Sequence, residues 1–236
     1  MSPYLAEIIG TAFLIVLGDG VVASVILAKS KGNQGGWIVI TLGWGMAVFI
    51  GVYATAKYSG AHLNPAVTFA QALQGKFPWE QVPAYMAAQV GGAMLGALLV
   101  WLCYKKHFDA TTDADTKLGV FCTIPAIRDL KYNFLTEFIA TMVFILAISY
   151  ITGPTAGIGS LDALPVAFVV LAIGLSLGGP TGYAINPARD LGPRLMHFLL
   201  PISGKRDSDW AYAWVPVFGP LAGAAAGAFL YQYFLS

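Results

Sequence analysis

Charge is what this sequence has least of. Only 11% of its 236 residues are Asp, Glu, Lys or Arg, against about 25% in an ordinary soluble domain. So few charges cannot clothe a globular core in a polar surface, which makes the bilayer the solvent for this chain. The charges present nearly cancel, leaving a net +1 and no basic field for nucleic acid. Cys103 and Cys122 are too few for a disulfide framework or a thiolate metal cluster. The three histidines, His62, His107 and His197, stand apart, and no His-Glu metal motif or Ser/His or His/Asp pairing at useful spacing exists. No catalytic residue, metal or cofactor is therefore expected. The opening MSPYLAEIIG lacks a basic segment and places Glu7 early, so it does not read as a cleaved signal peptide.

What the chain has is apolar length: 57% hydrophobic residues and a mean hydropathy of +0.69. Six stretches come near or exceed the about 20 apolar residues of a membrane-crossing helix: 4–27, 36–57, 82–104, 132–152, 163–179 and 211–234. Two shorter amphipathic pieces, 65–74 and 187–198, would reach only about half the hydrocarbon thickness. Each opens with Asn-Pro-Ala, at Asn64 and Asn186. Asn is a favoured N-cap and Pro suits the first helical turn, so each tripeptide starts a helix where the preceding chain already lies at membrane depth. The polar segment 105–131 reads as an aqueous loop joining two halves.

The halves look alike. AEIIGTAFLIV, from Ala6, compares with TEFIATMVFIL, from Thr136, and each sets a Glu (Glu7, Glu137) one turn into its span. SGAHLNPAVT, Ser59 to Thr68, compares with TGYAINPARD, Thr181 to Asp190. Gly92 and Gly96 in the third span compare with Gly219, Gly223 and Gly227 in the last, and suit close helix packing within or between protomers. Three spans are an odd number, so the second copy enters from the opposite face, as an inverted repeat. The expected fold is an all-α membrane protein of six transmembrane helices and two re-entrant half-helices. Its divisions are 1–104, a connecting loop 105–131, and 132–236.

Inverted repeats bring the N-termini of the two half-helices together near the midplane. Non-helical backbone at that depth is tolerated only when buried in protein or lining a watery cavity. The chain before each Asn would then present carbonyl acceptors: Gly60, Ala61, His62 and Leu63 in one loop, Gly182, Tyr183 and Ala184 in the other. Asn64 and Asn186 would cap their own helices through oxygen and turn amide donors to the lumen. The positive ends of both helices oppose cations and protons there. Such a path suits neutral, hydroxyl-bearing molecules.

These residues identify the chain as resembling the major intrinsic proteins, the aquaporin and aquaglyceroporin family, over nearly its whole length. SGAHLNPAVT and GGPTGYAINPARDLGP are similar to the two signature loops of the glycerol facilitators. The resemblance implies an outer constriction of Trp44, Gly174, Tyr183 and Arg189. Water-selective members resemble this except for a His at Gly174 and a small residue at Tyr183. An aromatic corner opposite a guanidinium fits glycerol, carbon on one face and hydroxyls on the other. Asp190 also matches the glycerol subclass. Tyr183 stands where those facilitators carry Phe, and its hydroxyl is expected to add a donor and acceptor and to narrow the gap. The implied function is a passive channel for glycerol, with water also passing. A strict water channel, or one tuned to urea, dihydroxyacetone or undissociated lactic acid, is the alternative.

The resemblance further implies that Glu7 and Glu137 hold the re-entrant loops, rather than relaying protons. It implies a homotetramer in the cell membrane with both termini cytoplasmic. Counting Lys and Arg on the loops favours the opposite orientation. Core packing is the alternative role for Trp44, a structural tie to loop carbonyls for Arg189, and a structural role is expected of His62. Asp19, in LGDGVVAS, has no counterpart in the second half. A secondary transporter could share the repeat, but no acidic cluster for a coupling ion accompanies Glu7, Glu137 and Asp19.

Overall fold

The computed structural model describes residues 1–151 and 159–235. Thr152, which closes the fourth expected span, and Ser236 lie outside the described residues. Regular structure among the described residues is helical throughout: α1 Pro3–Ile26, α2 Trp37–Ser59, α3 Pro65–Leu73, α4 Val82–Ala110, α5 Ala114–Phe121, α6 Leu130–Tyr150, α7 Leu164–Ser176, α8 Pro187–Leu199 and α9 Val215–Leu235. Short 3-10 turns lead into α4 and α7. Four helical stretches are long and apolar enough to cross a membrane by length and composition: Pro3–Ile26, Trp37–Ser59, Trp79–Ala110 and Leu130–Tyr150. α9 has 21 residues but its apolar character is diluted by Gly, Ala and a Tyr231-Gln232-Tyr233 end.

Side-chain oxygens at the starts explain several boundaries. Ser2 accepts from the Leu5 amide (3.3 Å) with Pro3 following, Asp129 accepts from Lys131 and Tyr132, and Asp113 from Thr116. Each satisfies amides that the first helical turn leaves unpaired. α2 ends where Gly60 turns left-handed (φ 79°). α7 stops at Ser176, short of the expected 179, because Gly178-Gly179-Pro180 turns the chain and the Gly182 amide closes back on the Gly178 carbonyl (2.8 Å).

Backbones approach most closely at two crossings, α1 against α4 and α6 against α9. A Cβ on Gly92 would stand 2.3 Å from the Ile8 carbonyl oxygen, and one on Gly223 would stand 2.2 Å from that of Phe138. One turn further, Gly96 meets the Ala12 carbonyl and Gly227 that of Met142, each at 2.9 Å. The two contact sets are residue-for-residue equivalents in the two halves, which supports the repeat. The four-residue glycine spacing is thus used inside one protomer, where it lets backbones touch.

The 105–131 segment differs from an aqueous loop. α4 runs on to Ala110, and α5 folds back with Leu118, Val120 and Phe121 buried, Phe121 stacking on Phe108 at 5.4 Å between centroids. The charges around it mask this short apolar run in a hydropathy reading. The Asp113 cap and the spacing of Leu118 and Phe121 are the signal that marks it.

Candidate functional site: two loops and a neck

The two re-entrant loops share a backbone pattern that few sequences adopt. Gly60, Ala61 and Leu63 have φ of 79°, 49° and 51°, and Gly182, Tyr183 and Ile185 have 84°, 40° and 41°. Left-handed non-glycine residues cost on the order of 1–3 kcal/mol each, so surrounding structure has to hold them. Two carboxylates do so in the same way. Glu7 Oε1 accepts from the Ser59 hydroxyl (2.6 Å) and the His62 amide (3.0 Å), and its Oε2 from the Leu63 amide (2.7 Å). Glu137 Oε1 accepts from the Thr181 hydroxyl (2.6 Å) and the Ala184 amide (3.0 Å), and its Oε2 from the Ile185 amide (3.0 Å). Glu7 takes a fourth bond from Gln89 Nε2 (2.8 Å), which also reaches the Thr68 hydroxyl. Both carboxylates are fully buried, and the geometry fits them as acceptors for strained backbone.

At the helix starts each Asn works in two directions. Asn64 Oδ1 accepts from the Ala66 amide (2.8 Å), and its Nδ2 donates to the Ile185 carbonyl across the interface (2.8 Å). Asn186 Oδ1 accepts from Ala188 (3.0 Å) and Arg189 (3.3 Å), and its Nδ2 donates to the Leu63 carbonyl (2.9 Å). One of each pair of amide protons is therefore spent tying the two half-helices together, and one per Asn remains unspent where both residues border a common cavity. This departs from a fully free amide. It also leaves the Leu63 carbonyl already engaged.

Two cavities meet at this level. The larger, about 400 Å³, is bounded by Gly60 to Leu63, Tyr183 to Ile185 and both Asn side chains, against an apolar wall that includes Leu14, Val48, Phe144 and Val170. The smaller, about 200 Å³, is bounded by Ile26, Trp37, Thr123, Gly182 and parts of α5 and its flank. Trp44, Tyr183 and Arg189 border both, so these three form the neck between them. The Arg189 guanidinium lies 4.2 Å from the Trp44 ring centre, and its Nη1 donates to the Phe121 carbonyl (3.1 Å) and meets Asp19 Oδ1 (3.3 Å).

Gly174 borders neither cavity. It stands behind Tyr183: a Cβ there would fall 2.7 Å from Tyr183 Cζ and 2.9 Å from its hydroxyl. The phenol oxygen is buried and has no hydrogen-bond partner among the described residues. The hydroxyl expected to add a donor and acceptor at the gap instead turns away from the lumen, because the missing side chain of Gly174 leaves room for it. Trp37 completes this packing, donating from Nε1 to the Gly174 carbonyl (2.9 Å) and meeting the Tyr183 ring edge-on at 5.8 Å.

Asp190 serves as an anchor. Its carboxylate accepts from the Thr123 amide (2.8 Å) and hydroxyl (2.7 Å) and pairs with Arg194 Nε (2.7 Å), while Arg194 also reaches the Ser208 and Thr123 carbonyls. His62 binds the Thr68 hydroxyl through Nδ1 (3.1 Å) and packs on Phe77 and Tyr85. His107 bonds the Ala28 carbonyl, and His197 the Ser208 hydroxyl. Among the described residues no group of His, Cys, Asp or Glu could hold a metal ion. Ser59, Thr181, Gln89, Thr123 and Phe121 are participants that sequence pattern does not single out. The hydroxyls flanking each loop are the one visible signal.

Comparison with known proteins agrees with this geometry. The family model described as Major intrinsic protein matches residues 1–231. A probable glycerol uptake facilitator protein of Thermotoga maritima is 58% identical over 99% of both chains. Glycerol uptake facilitator protein 3 of Lactiplantibacillus plantarum is 54% identical, covering 97% of this chain and 95% of its own. The X-ray structure of the aquaglyceroporin from Plasmodium falciparum superposes with a TM-score of 0.87 at 31% identity, over 98% of this chain and 95% of that one.

Proposed function

The chain belongs to the major intrinsic protein family, and on that premise we infer that its two cavities are one passive pore for glycerol, with water also passing. The protein is an integral, multi-pass protein of the cell membrane with the aquaporin-like fold. The observation that carries the reading is the neck, where an indole, a phenol ring and a guanidinium together border both cavities. Glycerol presents carbon on one face and hydroxyls on the other. Trp44 and Tyr183 take the carbon face, and Arg189, always charged, donates to the hydroxyls.

Below the neck the solute exchanges hydrogen bonds without changing covalently. Carbonyls of Gly60, Ala61, His62, Tyr183 and Ala184 accept from its hydroxyls, with that of Gly182 on the smaller-cavity side of the neck, and the free amide protons of Asn64 and Asn186 donate to its oxygens. Apolar side chains on the other wall offer no competing partner, so the solute keeps one orientation. The N-termini of α3 and α8 each add about half a positive charge, which turns away cations and protons. Gly174 contributes by admitting the Tyr183 ring, and Glu7 and Glu137 keep the carbonyls aimed. The chain is no enzyme in this reading, since binding and release complete its cycle. Both termini are cytoplasmic, the smaller cavity opens outward, and four protomers assemble, each with its own pore; these points rest on the family resemblance.

The test is light scattering of proteoliposomes after glycerol is added outside, which imposes an inward glycerol gradient. Shrinkage as water leaves, followed by fast re-swelling above empty vesicles, is the expected result. Fast shrinkage without re-swelling identifies a strict water channel and refutes the glycerol reading.

A further inference from the structure

Among the described residues Arg189 is the one cation at the neck, and the residue facing it from α1 is an acid. Asp19 is fully buried, its Oδ1 lies 3.3 Å from Arg189 Nη1, and its Oδ2 has no other hydrogen-bond partner among the described residues. The preceding residue, Gly18, is covered by the Trp44 ring, whose nearest atom would stand 2.2 Å from a Cβ there. α1 thus backs two of the three neck residues at successive positions, without itself bordering the neck at Asp19.

The repeat isolates this pair. Val67 stands as far after Asn64 as Arg189 does after Asn186, and Ser149 stands as far after Glu137 as Asp19 does after Glu7. The repeat-related positions, again one in each half, therefore carry neither charge. Ser149 accepts from Gln74 Nε2 (3.0 Å), a neutral contact. Charge and counter-charge occur together, on one side only.

An unpaired guanidinium facing two helix N-termini would make the neck a well for anions, because all three point positive partial charge at the same place. From this geometry we propose that Asp19 is a specificity-determining residue, acting through Arg189: it cancels the excess charge, so that the donors stay in place for neutral solutes while small anions gain no electrostatic purchase. The hydrogen bond from Nη1 to Asp19 also fixes the guanidinium over Trp44, on the side away from the lumen. This inference rests on the reading of Trp44, Tyr183 and Arg189 as the constriction of a glycerol pore.

The experiment uses the full chain in proteoliposomes. Bromide entry is followed by quenching of a trapped halide-sensitive dye, with valinomycin and K⁺ carrying the compensating charge, and glycerol entry by light scattering of the same vesicles. The native chain is expected to admit glycerol and to leave bromide entry at the level of empty vesicles. Asp19→Asn, or Asp19→Ser if the first does not fold, is expected to raise bromide entry at least about tenfold, the scale of removing a unit charge a few ångströms away. Asp19→Glu is expected to restore the native bromide level, and Asp19→Ser with Arg189→Val to abolish the leak by removing both charges. A purely structural role would lower glycerol and water flux together with no bromide entry. That result in a folded variant overturns the proposal, as does native bromide entry rivalling that of glycerol, which needs no variant. Absent glycerol entry in the native chain would instead sink the channel reading itself.

Discussion

Tyr183 fills the space that Gly174 leaves empty. A Cβ on the glycine would lie 2.7 Å from the ring carbon Cζ, well inside contact distance, so the two residues cannot be varied independently. Gly174→His alone is therefore expected to displace the Tyr183 ring, to slow glycerol re-swelling more than tenfold, and to lower thermal stability by about 1–3 kcal/mol from overpacking. Adding Tyr183→Ala clears the clash. The double variant is expected to regain stability and to pass water without glycerol, read from paired shrinkage and re-swelling rates.

The buried phenol oxygen of Tyr183 carries an unmet hydrogen-bonding requirement among the described residues. Tyr183→Phe removes that requirement and keeps the ring. It is expected to leave glycerol flux within about twofold and to hold or raise stability by up to about 1 kcal/mol, measured by thermal unfolding in detergent. A large loss of glycerol flux would mean that the hydroxyl serves the solute.

Glu7 and Glu137 differ in how many donors they satisfy: four from Ser59, His62, Leu63 and Gln89 against three from Thr181, Ala184 and Ile185. A glutamine in either place turns an NH₂ toward a backbone amide. Each substitution is expected to cost about 1–3 kcal/mol, Glu7→Gln the more. Folded Glu137→Gln should still conduct glycerol passively, at a rate independent of pH. Loss of flux in that folded variant would point to a proton relay.

The glycine crossings offer a control within one helix. Gly223→Ala puts a Cβ 2.2 Å from the Phe138 carbonyl oxygen and Gly92→Ala puts one 2.3 Å from that of Ile8, so both are expected to destabilise by more than about 1–3 kcal/mol. Gly91, beside Gly92 on α4, has nothing within 4 Å of where a Cβ would sit, so Gly91→Ala is expected to be neutral or to stabilise by about 0.5–1 kcal/mol. Unfolding temperatures of the three variants check the ranking.

Composition, hydropathy and caps act locally, and what they control was legible. Scarce charge required a bilayer, apolar length marked the long helices, and Asn-Pro-Ala marked α3 and α8 because an N-cap and a first-turn proline act within one turn. The matched glutamates and glycines exposed the repeat, since equivalent environments select equivalent residues. α5 does not stand out in hydropathy, because it is a short apolar run among charges; its Asp113 cap and the Leu118 to Phe121 spacing mark it locally, and packing beneath it shows which face is buried.

Other features depended on distances between helices far apart in sequence. Where Tyr183 points is decided by the void at Gly174, and where the Asn amides go is decided by carbonyls of the opposite loop. The pairing of Asp19 with Arg189 likewise exists only because the fold brings α1 and α8 together at the neck. Local pattern was enough for the membrane class, the long helices and the two half-helices. Packing between distant segments selected which of their polar atoms pair with one another and which stay unspent, because a hydrogen bond is set by ångström-scale geometry that no spacing along the chain contains.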